Sequence, residues 1–377
     1  MEKFDYPIPY MKSVMEDIDK QYVNKVLESN IITQGKYVKK VEDKFSVLTN
    51  KNFSVMCSNG TAALHLVAEM VNAKYKKESK NIITTPLTFV ADANFGRYIN
   101  ADIKFADIDQ NSWTISPESV ESLIDKDTIA VVAPHYAGLM CDIKKIQQIC
   151  LDNGIFLVED ACHAPLAEYK GVVSGSIGDA STFSFHATKH ISSGEGGVIS
   201  INSEDDYELL GRLRSHGLPH WSKRTGYGYD IDEVAFNYRP NEMSAALAIS
   251  HIERLESLIY KRRKLAEIYN QNLNFDFYVK QAIPTGATHV YHLYTLLLPN
   301  EDLRPRFLDY LKTKNIFGQI HYPPINKMTG FKKYFSDTPI SDDVASRVVS
   351  IPMYPTLNDI EQEFVIEKIN QFSQSID

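Results

Sequence analysis

The 377-residue chain is poor in cysteine. It has four, Cys57, Cys141, Cys150 and Cys162, and none forms a C-x-x-C pair. Neither a zinc ribbon nor a dithiol redox motif is therefore signalled, no metal site is expected, and scattered thiols fit a reducing compartment. No G-x-G-x-x-G stretch occurs, which counts against a nicotinamide enzyme. No apolar run approaches the roughly 18 residues of a membrane span. The opening MEKFDYPIPYMKS has neither the basic start nor the apolar stretch of a secretion signal. Without either, the expected location is the cytoplasm, and the Asn-x-Ser/Thr sites at Asn52 and Asn59 read as accidental. Cations are also in deficit: the formal net charge is −8, so neither nucleic acid nor an anionic membrane is expected as a partner.

What remains is the composition of an ordinary globular protein, 44% hydrophobic and 23% charged, in a chain long enough for two domains. Apolar strand candidates NIITT (81–85), DIKFADI (102–108), IAVVAPHY (129–136), IFLVED (155–160), STFSF (181–185) and GGVISI (196–201) alternate with helical segments such as 61–73 and 142–154. That pattern predicts an α/β fold with a mostly parallel sheet between helices, and chemistry just beyond the C-terminal strand ends. One long helix is expected over about 241–273, leading from a large domain (1–250) to a smaller C-terminal α+β domain (251–377). The latter should hold a strand at 289–299 and helices at 301–315 and 359–374.

Polar residues gather at the strand ends. In CSNGTAALHL, Gly60 and Thr61 open a helix whose free N–H groups suit a phosphate, although the same residues make an ordinary capped turn. Phe89 follows the next strand and is either core or a stacking face. Asp160 and His163 end a buried strand, where a carboxylate is expensive unless partnered. Lys189 lies four residues past STFSF, in a setting of His, Thr, Ser and Gly. Phosphate cradle, flat ring, carboxylate and amine in this order match the needs of pyridoxal phosphate (PLP), which requires donors, a stacking face, an anion at its ring nitrogen and an amine for its aldehyde.

The segments SNGTAALHL, PLTFVADAN, VEDACHA, FSFHATKHISSGEGGVIS, NYRPNEMSAALAISHIERLE, HYPPI and IPMYP resemble, in order and spacing, the DegT/DnrJ/StrS sugar-nucleotide aminotransferases. The resemblance implies the PLP fold type I, with a seven-stranded, mostly parallel sheet. It implies Lys189 as the Schiff-base lysine, Asp160 at the pyridine nitrogen and His163 near the ring oxygen. Phe89 would stack, while Gly60, Thr61 and Ser184 would contact the phosphate. Asn237 would reach that phosphate from the neighbouring subunit of a homodimer, with Arg239 beside it, and His321 and Tyr322 would border the sugar. L-glutamate would be the amino donor and a nucleotide-linked keto-sugar, a 4-keto hexose first, the acceptor. A lysine at 189 favours transamination over the branch of the family that carries histidine there and dehydrates its sugar. A 3-keto acceptor stays open, as does a non-enzymatic regulator that binds PLP. Lys223, Arg224 and Lys327 are either surface charge or contacts to a diphosphate.

Overall fold

The computed structural model describes residues 2–219, 228–231 and 233–376. Helices α1 (Asp17–Ser29) and α2 (Lys36–Leu48) lead into an alternating run. This comprises β1 (Phe53–Cys57), α3 (Gly60–Tyr75), β2 (Asn81–Thr84), α4 (Ala91–Tyr98), β3 (Asp102–Phe105), α5 (Pro117–Leu123), β4 (Thr128–Pro134), α6 (Ile143–Asn153) and β5 (Phe156–Asp160). A small hairpin, β6 (Glu168–Tyr169) and β7 (Val172–Val173), precedes β8 (Ala180–Ser184) and β9 (Gly197–Ile201). Then come α7 (Glu204–Arg214), α8 (Glu242–Ile252), α9 (Leu255–Asn272), β10 (Val279–Lys280), β11 (Ala287–Thr288) and β12 (Tyr294–Leu297). The chain closes with α10 (Leu303–Thr313), α11 (Pro339–Arg347), β13 (Val348–Ile351) and α12 (Asp359–Gln374).

Among the described residues the large sheet has seven strands in the order β1-β9-β8-β5-β4-β2-β3. Strand β9 runs antiparallel to both of its neighbours, and the other pairings are parallel. The expected α/β fold is therefore present. The run TIAVVAP of β4 is buried at every position, as a parallel strand covered on both faces must be. Alternation along β5 sends Leu157 into the core under α2, α6 and α8, and Phe156 and Val158 into the core under α3, α4 and α7. Because β1, β5 and β8 share one direction, their C-terminal ends reach a single edge. The antiparallel β9 begins there, which brings Gly196 and Gly197 to that edge.

The 241–273 segment is two helices, not one. At the break, the Arg254 amide bonds the His251 carbonyl, and the Arg254 Nε–H takes the Ser250 carbonyl in its place at 3.1 Å. The same guanidinium pairs with Asp19 at 2.6 Å and Glu16 at 2.7 Å. A long-range anchor thus overrides a continuous helical pattern. The expected strand at 289–299 shortens to Tyr294–Leu297. Tyr291 adopts a left-handed φ of 50°, and the Val290 and Leu293 amides bond the carbonyls of Gly138 and Ala137, so the segment wraps over the large sheet instead of extending β12. Phe4, Ile8 and Met11 pack with Leu265, Tyr294, Phe307 and Ile369, so the first residues join the C-terminal half and not the large sheet. Among the described residues no helix is long and apolar enough to cross a membrane.

Candidate active site

Beyond the C-terminal ends of β1, β4, β5 and β8 lies a cavity of about 550 Å³. Nine residues singled out by sequence line it: Gly60, Thr61, Phe89, Asp160, His163, Ser184, Lys189, His321 and Tyr322.

One wall is the start of α3. Asn59 caps this helix, its Oδ1 accepting the Ala62 amide at 2.8 Å and its carbonyl the Ala63 amide at 3.0 Å. The amides of Gly60 and Thr61, at the first two helical positions, have no acceptor within the helix. They face the cavity with the positive end of the helix dipole behind them. The glycines here are steric requirements. A Cβ on Gly60 would lie 2.8 Å from the Ser184 Cβ, and one on Gly197 2.5 Å from the Asn59 carbonyl oxygen. With glycine at both positions, β8 and β9 press directly on the turn and leave the anion-binding end of α3 open.

Asp160 ends β5. Its Oδ1 accepts the Cys162 amide at 3.0 Å, a local turn that fixes the carboxyl. The remainder of the carboxylate borders the cavity, where residue exposure is 9%. Lys189 sits after a tight turn in which its amide bonds the His186 carbonyl at 2.8 Å. The Ala187 carbonyl in that turn is held by the Ser13 hydroxyl at 2.5 Å. Burial pushes the Lys189 ammonium below its ordinary value, against the opposing pull of Cys162, Asp160 and Asp92. Nζ lies 3.5 Å from His292 Nε2. Burial first, and then the Lys189 charge, hold the rings of His163 and His292 well below the usual imidazole range, so both are neutral beside the amine.

The opposite wall comes from the C-terminal half. The Tyr322 hydroxyl is 3.1 Å from His163 Nε2, and burial pushes its phenol well up, so it stays protonated. His321 is held by Ser350 at 2.9 Å. Phe89 is half exposed at the cavity mouth, its ring 5.9 Å from that of Tyr322.

Asn237 and Arg239 do not line this cavity; Tyr238, between them, does, with its hydroxyl 3.0 Å from His65 Nδ1. In an extended segment successive side chains alternate. Asn237 is exposed and bridges Ser215 through its backbone. Lys327 is also outside the lining and pairs with Asp342 at 2.8 Å. Lys223 and Arg224 fall outside the described residues. Sequence reasoning missed Tyr10, Thr88, His135, Tyr238 and His292 in the lining, and Asp92 behind it. Of these, Thr88 and Asp92 lay inside PLTFVADAN and Tyr238 inside NYRPNEM, segments already marked, while Tyr10, His135 and His292 lay outside them.

The residues suit PLP. Free helix amides meet a phosphate, a carboxylate meets a ring nitrogen, an amine of lowered pKa meets an aldehyde, and the volume admits the group. Residues 14–370 match the model of the DegT/DnrJ/EryC1/StrS aminotransferase family. An uncharacterised protein of Methanocaldococcus jannaschii is 34% identical over an alignment of 369 positions that covers 94% of each chain. The GDP-perosamine synthase of Escherichia coli O157:H7 is 29% identical across 97% of this chain and 98% of its own. The solved structure of Helicobacter pylori PseC, an aminotransferase involved in the biosynthesis of pseudoaminic acid, superposes with a TM-score of 0.93. It is 26% identical over 98% of this chain and all of its own. The chain thus belongs to the DegT/DnrJ/EryC1/StrS family and is a PLP-dependent sugar aminotransferase.

Proposed function

We propose that the protein transfers the amino group of L-glutamate to a nucleotide-linked keto-deoxysugar, with a 4-keto hexose as the first acceptor, in the making of an amino sugar. The observation that carries this reading is the placement of Lys189 and Asp160 in one cavity with the free amides of α3. The relative named GDP-perosamine synthase supports a nucleotide-linked sugar as the acceptor.

When bound, PLP supplies an aldehyde that bonds amines and a ring that draws electrons from the adjoining carbon. The protein supplies position and protons. Gly60 and Thr61 would donate to the phosphate, with the Ser184 hydroxyl beside them. Asp160 presents an anion to the ring nitrogen; charge-assisted contacts of this kind run about 2.7–2.9 Å. Phe89 would cover the ring from the cavity mouth, and His163, held by Tyr322, would meet its oxygen. Lys189 Nζ would be the amine that holds the aldehyde in the absence of substrate. As a free amine it would be the base that takes the α-proton of glutamate and the acid that returns a proton on the sugar side. Burial favours its neutral form, which this work requires. His321 and Tyr322 border the sugar. Asn237, exposed and outside its own cavity, is free to reach the phosphate held by a second copy, with Arg239 alongside, so the working unit is a homodimer.

The test is incubation of the PLP-loaded protein with glutamate and a panel of UDP-, dTDP- and GDP-linked 3-keto and 4-keto sugars, with products identified by mass and NMR. An amino sugar formed one-for-one with 2-oxoglutarate, and lost in Lys189→Ala, is expected. A deoxysugar released with free ammonia, with none of the glutamate nitrogen kept in the sugar, would establish dehydration instead.

A further inference from the structure

Asp92, in the first turn of α4, is fully buried. Its Oδ2 accepts the Thr88 hydroxyl at 2.6 Å. Its Oδ1 is buried with no partner. The neighbour that its carboxyl meets is the carboxyl of Asp160, within hydrogen-bonding range, while the Lys189 amine pairs with His292 and reaches Asp92 only through its field. An ionised Asp92 would bury a half-satisfied anion against a second anion, an arrangement that desolvation and repulsion both oppose. One proton resolves both problems: it turns a partnerless acceptor into a donor, and Asp160 is the acceptor within reach.

Resting on the assignment of Asp160 above, we propose that Asp92 is a positioning residue that stays protonated and donates a hydrogen bond to the Asp160 carboxylate. The dyad then holds a single negative charge behind the cavity. Thr88 orients Asp92, Asp92 and the Cys162 amide orient Asp160, and the remaining lone pairs of Asp160 face the ring nitrogen. Consistently, burial first and then the Asp160 charge push the Asp92 carboxyl well above the usual carboxylate range.

The test uses the cofactor-free protein first, so its outcome does not depend on the reaction assigned above. Infrared spectra at neutral pH should show a carbonyl band of a protonated carboxyl that shifts in heavy water. The band should vanish in Asp92→Asn and move in frequency in Asp160→Asn, where its acceptor changes from carboxylate to amide. PLP titration then separates positioning from packing. Asp92→Asn keeps a donor toward Asp160 and should bind PLP within about twofold of the wild type. Asp92→Leu keeps bulk without a donor and should bind about tenfold more weakly, as loss of one charge-assisted hydrogen bond predicts. Absence of the band in the wild type, or equal affinities for the two variants, overturns the proposal. Should the leucine variant fail to fold, the band alone decides it.

Discussion

Glu159 and Asp160 are consecutive residues of one buried strand, and they face opposite sides of the sheet. Glu159 is saturated. Its Oε1 accepts the amides of Ile177 at 2.7 Å and Gly178 at 2.5 Å, and its Oε2 accepts the Gly175 amide at 2.9 Å and meets His135 Nε2 at 3.0 Å. Burial would raise its pKa, but the His135 ring and the glycine amides outweigh that and hold it below the usual range. Asp160 accepts one protein amide, from Cys162, and borders the cavity. A carboxylate whose acceptor sites are filled holds a fold together. One kept short of donors is left available to a ligand.

Substitution to the amide should separate the two most clearly. In Glu159→Gln, a side-chain NH2 replaces an oxygen that now receives the Gly175 N–H, so donor meets donor in a dry site. Breaking a buried charged network of this kind costs about 3–5 kcal/mol, which a denaturant midpoint would show even without cofactor. A loss below about 1 kcal/mol would mean that the cluster is not the structural anchor described. Asp160→Asn should leave that midpoint nearly unchanged and instead lower turnover by about 10²–10³-fold, the usual cost of one electrostatic contact in a reacting site.

Acidity sharpens the contrast, because Glu159 and Asp92 bind protons with opposite sign. The folded pKa of Glu159 lies below its ordinary 4.5. Its contribution to stability is therefore complete above about pH 4.5 and disappears as pH falls through the folded value. The folded pKa of Asp92 lies above its ordinary 3.8, so this group destabilises the fold progressively as pH rises from 3.8 toward that value. In melting curves from pH 4 to 8, the deficit of Glu159→Gln should shrink toward acid. Asp92→Asn should gain on the wild type toward neutrality. Parallel slopes for both variants would remove the distinction between the ionised, filled carboxylate of Glu159 and the protonated carboxyl of Asp92.

The two sides of β5 also differ in how much the sequence disclosed. Chemistry at a strand end is local. A buried apolar run followed by an acid, a glycine turn capped by asparagine, or a lysine among glycines stands out within ten residues, and Gly60, Thr61, Phe89, Asp160, His163 and Lys189, marked in this way, line the cavity; Ser184, His321 and Tyr322 came from the family resemblance, which also named Asn237 and Arg239, outside the lining. The regular elements were equally local: α12 carries its own capping box through Asn358 and Glu361, and α3 its Asn59 cap. The misses depend on distant partners. Asp92 looks like an acid favoured in a first helical turn, and nothing nearby reveals that α4 faces it toward Asp160. His292 comes from a segment whose apolar pattern reads as strand, and only contacts to Gly138 and Ala137 bend it over Lys189. The break before α9 depends on Asp19 and Glu16, more than 230 positions away.

The smallest expected effect tests the same rule at the far wall. Tyr322→Phe removes the hydroxyl that meets His163 Nε2 at 3.1 Å. Because the pair borders the cavity, water can replace the lost partner, whereas the Glu159 side chain is fully buried. The denaturant midpoint should therefore move by less than about 0.5 kcal/mol, the range of changes that leave no buried group unpaired. PLP affinity should fall by roughly two- to tenfold, the net worth of one neutral hydrogen bond. The affinity loss should be similar at pH 6 and pH 8, since burial holds His163 neutral and Tyr322 protonated across that range. A stability loss comparable to that of Glu159→Gln would show that the cavity wall is as tightly saturated as the other side of the strand.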